Sequence, residues 1–230
     1  MKIPSWIIAK SVATPAYQWF ARKIVAKMTF RLFGYPEFEP SKYWEIRDLI
    51  KAFGRKDGLF VFVGIDTKTV AARLFNLVHS SQWGHSGFLF VGINGELYAV
   101  HMTTKGLLYQ PILDYLPRVD HFACGFVGLT NVDVARERIN RSFSLAESTT
   151  GIEYDYSLRL DPEAEKIIIG GEVPKEGYGP LMLYCSEFMY FIIKGLTKNP
   201  LIPTKLAGSW DIFEPDDIYR QVMENKIYEC

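Results

Sequence analysis

Five short apolar segments, each close to glycine or other turn-forming residues, constrain the fold more than any other feature of this sequence. Runs of four to eight residues have the length of β-strands and are too short for most buried helices. The first of them is apolar throughout, as is typical of a strand that is covered on both faces. The pattern predicts a small sheet at the centre of an α+β domain. The segments comprise residues 59–63, 88–91, 97–101, 107–112 and 122–129.

The second and third segments form a predicted hairpin, and its register decides whether two histidines meet. A two-residue turn at residues 94 and 95 places His101 opposite Phe88, on the face that a regular strand turns away from His85. A three-residue loop at residues 93–95, with its glycine in the left-handed conformation, places His101 opposite Gly87. In that register His101 lies on the same face as His85, one diagonal away. The sequence is compatible with both registers.

Helices with recognisable start and stop signals surround the predicted sheet. Residues 1–55 are predicted to be an N-terminal extension with two amphipathic helices, and residues 56–230 the main domain. Residues 151–180 contain several glycines and prolines and are predicted to be irregular, with at most one short strand, as a flap or pocket wall. The predicted helices comprise residues 15–33, 41–53, 66–79, 131–147 and 184–194, with a short one beginning at residue 214.

The first predicted helix, residues 15–33, has an unusual surface. One face is apolar, and the other mixes basic and aromatic side chains, a composition found in helices that lie at lipid surfaces. Packing of this helix on its own domain or on a second subunit is the alternative, because amphipathic helices mostly face protein cores. Peripheral membrane contact is therefore an expectation, and the oligomeric state is left open.

Composition excludes several classes of function. The 26 basic residues balance the 26 acidic ones, which argues against a nucleic-acid partner, and no glycine-rich phosphate loop is present. The three cysteines are widely separated, which fits neither a disulfide framework nor a zinc site, and no metal or cofactor is expected. No apolar run suits a membrane span or a signal peptide, so we expect an intracellular protein, with membrane contact at most peripheral.

Cys185 and His85 each have an ordinary structural explanation when taken alone. A free cysteine on an apolar helix is usually a small buried side chain, and a histidine at a strand edge is commonly a hydrogen-bonded structural residue. Together they mean more, because Cys185 opens a predicted helix and His85 enters the hairpin that carries His101. A helix N-terminus stabilises a thiolate, and acyl transfer requires a nucleophile, a base and an orienting group.

Three motifs, in this order along the chain, resemble a known family. They are His85-Ser86-Gly87 entering a strand, Tyr154-Asp155-Tyr156, and Tyr184-Cys185-Ser186-Glu187 opening a helix. The arrangement resembles the permuted papain-like amidases of the YiiX/YaeF type, relatives of the NlpC-type cell-wall peptidases and of lecithin:retinol acyltransferase-like proteins. The resemblance extends over residues 56–219 and includes the segments 106–112 and 214–218. It implies a small antiparallel sheet or barrel packed against a helix that bears the nucleophile.

By this resemblance Cys185 is the nucleophile and His85 the general base. The third position aligns with His101, where YiiX-like members usually have a glutamate; a histidine can orient the base but supplies no fixed negative charge. The segment between Tyr156 and Cys185 is longer than the resemblance leads us to expect. Ordinary aromatic packing explains the tyrosines equally well. The candidate substrate-contacting residues are Trp83, Tyr154, Tyr156, Tyr184 and Ser186.

Three functions follow as hypotheses. The first is a cysteine hydrolase of amide bonds, acting on peptide or peptidoglycan-like isopeptide substrates through a thioester. The second is a lipid acyl hydrolase or acyltransferase at a membrane surface, which the composition of residues 15–33 and the histidine at the third position favour. The third is a binding or scaffold protein that keeps the fold without turnover.

Overall fold

Six antiparallel strands form the central sheet, in the order β10-β5-β1-β2-β3-β4. A computed structural model describes residues 40–52, 58–65, 83–115, 121–148, 151–155, 159–174, 179–206, 210–223 and 225–229. The predicted helices over residues 15–33 and 66–79 lie outside these ranges. The predicted α+β class, with a small antiparallel sheet, is confirmed. The strands of this sheet are β1 Gly58–Ile65, β2 His85–Val91, β3 Leu97–Thr103, β4 Gly106–Pro111, β5 His121–Gly128 and β10 Asn225–Glu229.

The β2–β3 hairpin adopts the register that brings the two histidines to one face. Phe88 pairs with Val100 and Val91 with Leu97. The backbone N–H of Gly92 donates a hydrogen bond to the carbonyl oxygen of Glu96, so the loop that connects the strands comprises residues 93–95. Gly95, the last loop residue, has φ +80°, in the left-handed region that favours glycine. The three-residue loop predicted as one of two alternatives is therefore confirmed.

The first face of the sheet packs against two helices and forms the larger core. We call this core, with the helices on it, the aliphatic face. Its strand residues include Val61, Val63, Phe88, Val100 and Met102. The helices are α2 (Val132–Glu147) and α4 (Cys185–Ile193). Every residue of α4 is buried, which explains a helix that is apolar almost all round.

The second face carries a smaller core that is rich in aromatic rings, and we call it the aromatic face. Helix α1 (Pro40–Ala52), the predicted second helix of the N-terminal extension, contributes Tyr43, Ile46 and Ile50. The Tyr43 hydroxyl accepts a hydrogen bond from the backbone N–H of Leu97. The sheet is thus covered on both faces, as its continuous apolar strands indicate. The other large members of this core are Phe60, Phe62, Leu89, Ile112, Tyr115 and Phe122.

Two of the predicted helices have the expected signals. Asn131 caps α2 by accepting hydrogen bonds from the backbone N–H groups of Asp133 and Val134. Gly195, with φ +74°, follows the last turn of α4. The guanidinium of Arg138 on α2 is buried and donates to the carbonyl oxygens of Phe191, Ile192 and Lys194, the last acceptors of α4.

The segment between residues 151 and 180 is more regular than predicted. It contains β6 (Ile152–Tyr154) and a helix, α3 (Pro162–Ile168), where we expected irregular chain. The helix has clear signals, because Asp161 accepts a hydrogen bond from the backbone N–H of Glu163 and a proline occupies the first turn. The glycines and prolines at the two ends of the segment obscured them.

Short elements complete the aliphatic side. Strand β7 (Leu181–Leu183) pairs in parallel with β6 and leads directly into α4, so a rigid extended segment precedes Cys185. Strands β8 (Thr204–Leu206) and β9 (Trp210–Ile212) form a separate antiparallel pair. The predicted last helix begins at the expected proline as α5 (Pro215–Asp217), and a π-helical turn over Ile218–Val222 continues it.

Candidate active site

His85 and His101 contact each other directly on the aromatic face. The Nε2 atom of His85 lies 2.7 Å from the Nδ1 atom of His101. At this distance one ring nitrogen must donate a proton and the other must accept it, because two N–H groups would repel. The structure therefore brings together the predicted base and the predicted third member, by means of the confirmed hairpin register.

Aromatic rings surround the histidine pair. The rings of His85 and His101 each lie 5.3 Å from the ring of Tyr115 and 6.0 Å from that of Phe62, measured between centroids. His101 is almost fully buried, and His85, the first residue of β2, keeps partial exposure. Burial among these rings lowers the pKa of His85 well below its usual value, and His101 lowers it further. The imidazole of His85 is consequently neutral at physiological pH.

Gln110 extends the histidine pair by one more hydrogen bond. This residue lies on β4, next to the strand of His101, and its Nε2 atom is 3.0 Å from the Nε2 atom of His101. Both ring nitrogens of His101 are therefore engaged, Nδ1 with His85 and Nε2 with Gln110. Sequence reasoning missed Gln110, although its even spacing from Leu108, the residue opposite His101, was a usable signal.

Cys185 is the first residue of α4 and lies against Ser86 of β2. Groups beside its sulfur, namely the backbone N–H and the hydroxyl of Ser86, the backbone N–H of Ser186 and the hydroxyl of Tyr154, each act to lower the pKa of the thiol. The hydroxyl oxygen of Ser86 is buried and makes no hydrogen bond of normal geometry within the described part of the chain. Sequence reasoning did not single out Ser86.

Burial dominates the acidity of the Cys185 thiol. Desolvation raises the pKa of the thiol above its usual value, and the four hydrogen bonds from Ser86, Ser186 and Tyr154 offset only part of that increase. The helix N-terminus and these donors favour a thiolate, as predicted, but the low-polarity surroundings weigh more. The resting state therefore combines a neutral thiol with a neutral imidazole.

The structure does not join Cys185 and His85 by a hydrogen bond, although both residues are described. Successive residues of a strand point to opposite faces, and Ser86, the neighbour of His85, is the residue that meets the thiol. The thiol belongs to the aliphatic face and both imidazoles to the aromatic face. The expected contact between nucleophile and base is thus replaced by contact between the nucleophile and the residue after the base.

Three predicted substrate contacts are buried and bonded within the protein. The hydroxyl of Tyr184 accepts a hydrogen bond from the backbone N–H of Phe213, and the hydroxyl of Ser186 donates to the carbonyl oxygen of the same residue. Trp83 is buried, and its ring lies 5.0 Å from the ring of Tyr219. These positions favour a structural role for Tyr184, Ser186 and Trp83 over the predicted contact with substrate.

The two remaining predicted contacts differ in status. Tyr154 is half-buried at the end of β6, and its hydroxyl acts to lower the pKa of the Cys185 thiol, so the side chain lies near the candidate nucleophile. Its contact with a substrate stays a prediction. Tyr156 lies outside the described residues.

Buried acids pack beneath the nucleophile and were not predicted. Glu187 is fully buried on α4, and its carboxylate accepts hydrogen bonds from the backbone N–H groups of Asp161 and Tyr184. Burial raises the pKa of Glu187 well above its usual value, with a further contribution from Asp155. Glu187 thereby ties the start of α3 to the start of α4. Its position three residues after the helix cap was a signal that sequence reasoning did not use.

Metal-binding clusters and membrane-spanning helices are absent from the described part of the chain. In the parts of the chain that the structure describes, no group of three or more histidine, cysteine, aspartate or glutamate side chains is arranged to hold a metal ion. Within the same ranges, no helix is long and apolar enough to cross a membrane.

Comparisons with known proteins give structural likeness without sequence matches. No protein-family model matches the chain, and no curated protein sequence matches it significantly. Among solved structures, the chain is similar to a crystal structure described as metalloprotein YiiX from Escherichia coli O157:H7, with a TM-score of 0.46 and 11% sequence identity. The likeness covers 77% of this chain and 97% of the YiiX chain. We base no conclusion about activity on it.

Proposed function

We propose that the protein is a cysteine hydrolase that cleaves amide bonds through a thioester intermediate. The observation that carries the proposal is the hydrogen-bonded pair of His85 and His101, placed one residue away from the Ser86 that contacts the Cys185 thiol. A histidine oriented by a second polar group, beside a cysteine at a helix N-terminus, is the set of parts that acyl transfer requires.

Acylation begins with the proton of the thiol. The Nε2 atom of His85 is bonded to His101, so Nδ1 is the nitrogen that accepts this proton. The S–H bond breaks, the sulfur electron pair forms a bond to the carbonyl carbon of the substrate, and the carbonyl oxygen becomes an oxyanion. Collapse of this intermediate breaks the C–N bond, and the proton on Nδ1 goes to the leaving amine.

The neutral resting state suits general-base catalysis. Neither the thiol nor the imidazole carries a charge at rest, so the proton moves only when the substrate is bound and the site is desolvated. His85 is the first residue of β2 and keeps partial exposure, and the paired part of β2 and β3 begins at Phe88. At this end the strand is paired with β1 but not with β3. We infer that the imidazole turns toward the thiol here when the substrate binds.

Donors around the sulfur stabilise the charge that develops. The backbone N–H of Ser186, the backbone N–H and the hydroxyl of Ser86, and the hydroxyl of Tyr154 each act to lower the pKa of the thiol, and so favour the thiolate. As the thiolate attacks and its charge passes to the carbonyl oxygen, those donors that reach the oxyanion stabilise the transition state. Deacylation reverses the roles. His85 takes a proton from water, the hydroxide bonds to the carbonyl carbon of the thioester, and the C–S bond breaks to release the acid while the proton on His85 returns to the sulfur.

A lipid acyl hydrolase or acyltransferase is the second candidate. The same thioester chemistry applies, with an ester oxygen as the leaving group and an alcohol or amine as a possible acceptor. The basic and aromatic composition of residues 15–33 favours this candidate, and peripheral contact of that segment with a membrane stays a prediction. Co-sedimentation with anionic phospholipid vesicles, comparing the full chain with a variant that lacks residues 1–36, tests it; equal and negligible binding of both would count against it.

Substrate panels test the proposed activity. The full-length protein is incubated with dansyl-labelled dipeptides and muropeptides in one panel, and with phosphatidylcholine and phosphatidylethanolamine vesicles in the other. We expect product in the first panel, and none from Cys185→Ala. The matched control is Cys124→Ala, which removes the free cysteine of the aromatic face and should retain activity. Product only in the second panel would favour the lipid enzyme, and no product in either would favour a scaffold protein.

A further inference from the structure

The amide of Gln110 bears on the protonation of both histidines, although it touches only His101. The inference below rests on the proposed function, because it concerns how His85 becomes a base. Gln110 is on β4, His101 on β3 and His85 on β2, so the three side chains form a row across three adjacent strands of the aromatic face. Each link in the row is a hydrogen bond between named atoms.

The direction of each hydrogen bond in the row follows from the atom that Gln110 presents. An amide nitrogen can only donate, so the Nε2 atom of His101, at 3.0 Å from the Nε2 atom of Gln110, must accept. The single proton of a neutral His101 is then on Nδ1, which donates to Nε2 of His85. His85 in turn carries its proton on Nδ1. In this state Nδ1 of His85 has no lone pair for the proton of the thiol.

A half-turn of the amide reverses the whole row. It brings the Oε1 atom of Gln110 to His101, and because this oxygen can only accept, His101 must carry its proton on Nε2. Nδ1 of His101 then accepts a hydrogen bond from the N–H group at Nε2 of His85, and Nδ1 of His85 is left with a lone pair. This second state also suits the imidazolium that forms during the reaction, because His85 then donates from both nitrogens.

We propose that Gln110 is a positioning residue whose amide orientation sets the tautomers of His101 and His85 and so decides whether His85 can accept the Cys185 proton. Aromatic packing supports this role. The rings of Phe62 and Tyr115 flank both imidazoles in the resting state, so that a change at Gln110 shifts proton positions before it shifts ring positions. Proton positions in the pair therefore depend on Gln110, which is bonded to His101 at the end of the row.

Two substitutions separate the states. Gln110→Glu presents only acceptor atoms and should hold the row in the state that is competent for base catalysis. Gln110→Met has nearly the same shape but no hydrogen-bonding group, and should leave the tautomers undetermined. Tyr109→Glu is the control for added charge, because it places a carboxylate on the same strand but toward the other face, where Tyr109 is half exposed.

Nitrogen-15 NMR of the histidine rings is the direct test, since protonated and unprotonated ring nitrogens differ widely in chemical shift. The full-length labelled protein has four histidines, and the variants His79→Gln and His121→Gln identify the signals of the other two. We expect His101 protonated on Nδ1 in the wild type and on Nε2 in Gln110→Glu, with averaged shifts in Gln110→Met. Identical ring shifts in the wild type and in both Gln110 variants would overturn the inference.

Alkylation of Cys185 by iodoacetamide gives the functional readout. We expect the rate in Gln110→Glu to exceed that in Gln110→Met by about tenfold, with Tyr109→Glu close to the wild type. If Cys185 is reactive but its alkylation rate is the same in both Gln110 variants as in the wild type, the inference is overturned and the proposed function stands. If Cys185 reacts no faster than Cys124 in any variant while the tautomers respond to Gln110, the proposed function fails instead.

Discussion

The two faces of the sheet differ in what they hold and in how they respond to pH. The aliphatic side holds the thiol and two acids whose pKa values are raised, the buried Glu187 and the half-buried Glu214, the second to about 7. The aromatic face holds His85, whose pKa is lowered. A raised carboxyl pKa makes the folded state lose stability as the pH rises, and a lowered histidine pKa makes it lose stability as the pH falls.

This difference shows how the site is divided. The nucleophile and the base belong to separate cores, each with its own packing, and only the backbone of β2 links Ser86 on one face with His85 on the other. Their alignment depends on the sheet and not on one shared pocket. Substitutions that affect one face alone should therefore separate thiol properties from histidine properties.

Removing the base should have the largest effect. His85→Ala is expected to lower the rate of acylation by about a hundred- to ten-thousandfold, because a positioned general base contributes that much. Single-turnover acylation by a labelled substrate of the active panel is the measurement, and added imidazole should restore part of the rate. A rate within twofold of the wild type would exclude His85 as the base and leave the thiol as an independent feature of the aliphatic face.

Filling the space beside the histidines should disturb the aromatic face next most strongly. In Gly87→Ala, the new Cβ would lie 2.6 Å from a ring atom of Phe62 and 2.7 Å from the Cβ of His101. We expect a loss of about 1–3 kcal/mol in the free energy of unfolding, measured by urea denaturation, since overpacking has this cost. Gly179→Ala is the control, because its Cβ meets nothing within 4 Å. Equal stability of the two variants would contradict the packing described around His101.

Replacing Glu214 with a neutral residue should change how the free energy of unfolding depends on pH. Glu214 titrates near 4.5 when unfolded and near 7 when folded, so between these values the unfolded chain releases a proton that the folded protein retains. Stability therefore falls as the pH rises through this window. Glu214→Gln should be more stable than the wild type by about 1–2 kcal/mol at pH 8 and unchanged near pH 4, in urea titrations at both pH values. A gain that is the same at both would exclude Glu214 as the titrating group.

Removing a donor to the sulfur should have the smallest effect. Ser86→Ala eliminates the hydroxyl beside the thiol but keeps the backbone N–H. We expect the pKa of Cys185 to rise and its alkylation near neutral pH to slow by about three- to tenfold, which corresponds to the loss of one ordinary hydrogen bond. Ser142→Ala, which removes another fully buried hydroxyl, should leave the rate unchanged. An unchanged rate in Ser86→Ala as well would mean that the hydroxyl does not act on the thiol.

Local signals account for what could be predicted. The histidine pair depends on one turn, and the choice between two loop lengths was explicit in residues 93–95 even though the sequence did not decide it. The helices α2 and α4 carry their start and stop signals within a few residues of their ends. Interactions between residues that are close in the sequence can therefore be predicted from the sequence.

Contacts between distant segments account for what could not be predicted. Cys185 and Ser86 are 99 positions apart in the sequence, and which residue of β2 meets the thiol depends on the depth at which α4 packs. The same holds for Phe213, whose backbone is hydrogen-bonded to the hydroxyl groups of Tyr184 and Ser186. We had expected these hydroxyl groups to contact a substrate. Neither arrangement leaves a pattern in the neighbouring residues.

The anchoring of α4 at both ends determines which part of the site can move. Phe213 holds the first turn through Tyr184 and Ser186, and Arg138 binds the last three available carbonyl oxygens. Opening this helix requires both attachments to break, so its amide protons should exchange with solvent as slowly as those of the core. Exchange at the start of β2 should be faster, because residues 85–87 are paired with β1 alone and the pairing with β3 begins only at Phe88. Cys185 is thus held in place by the anchoring of α4, and His85 is the residue of the site that can move.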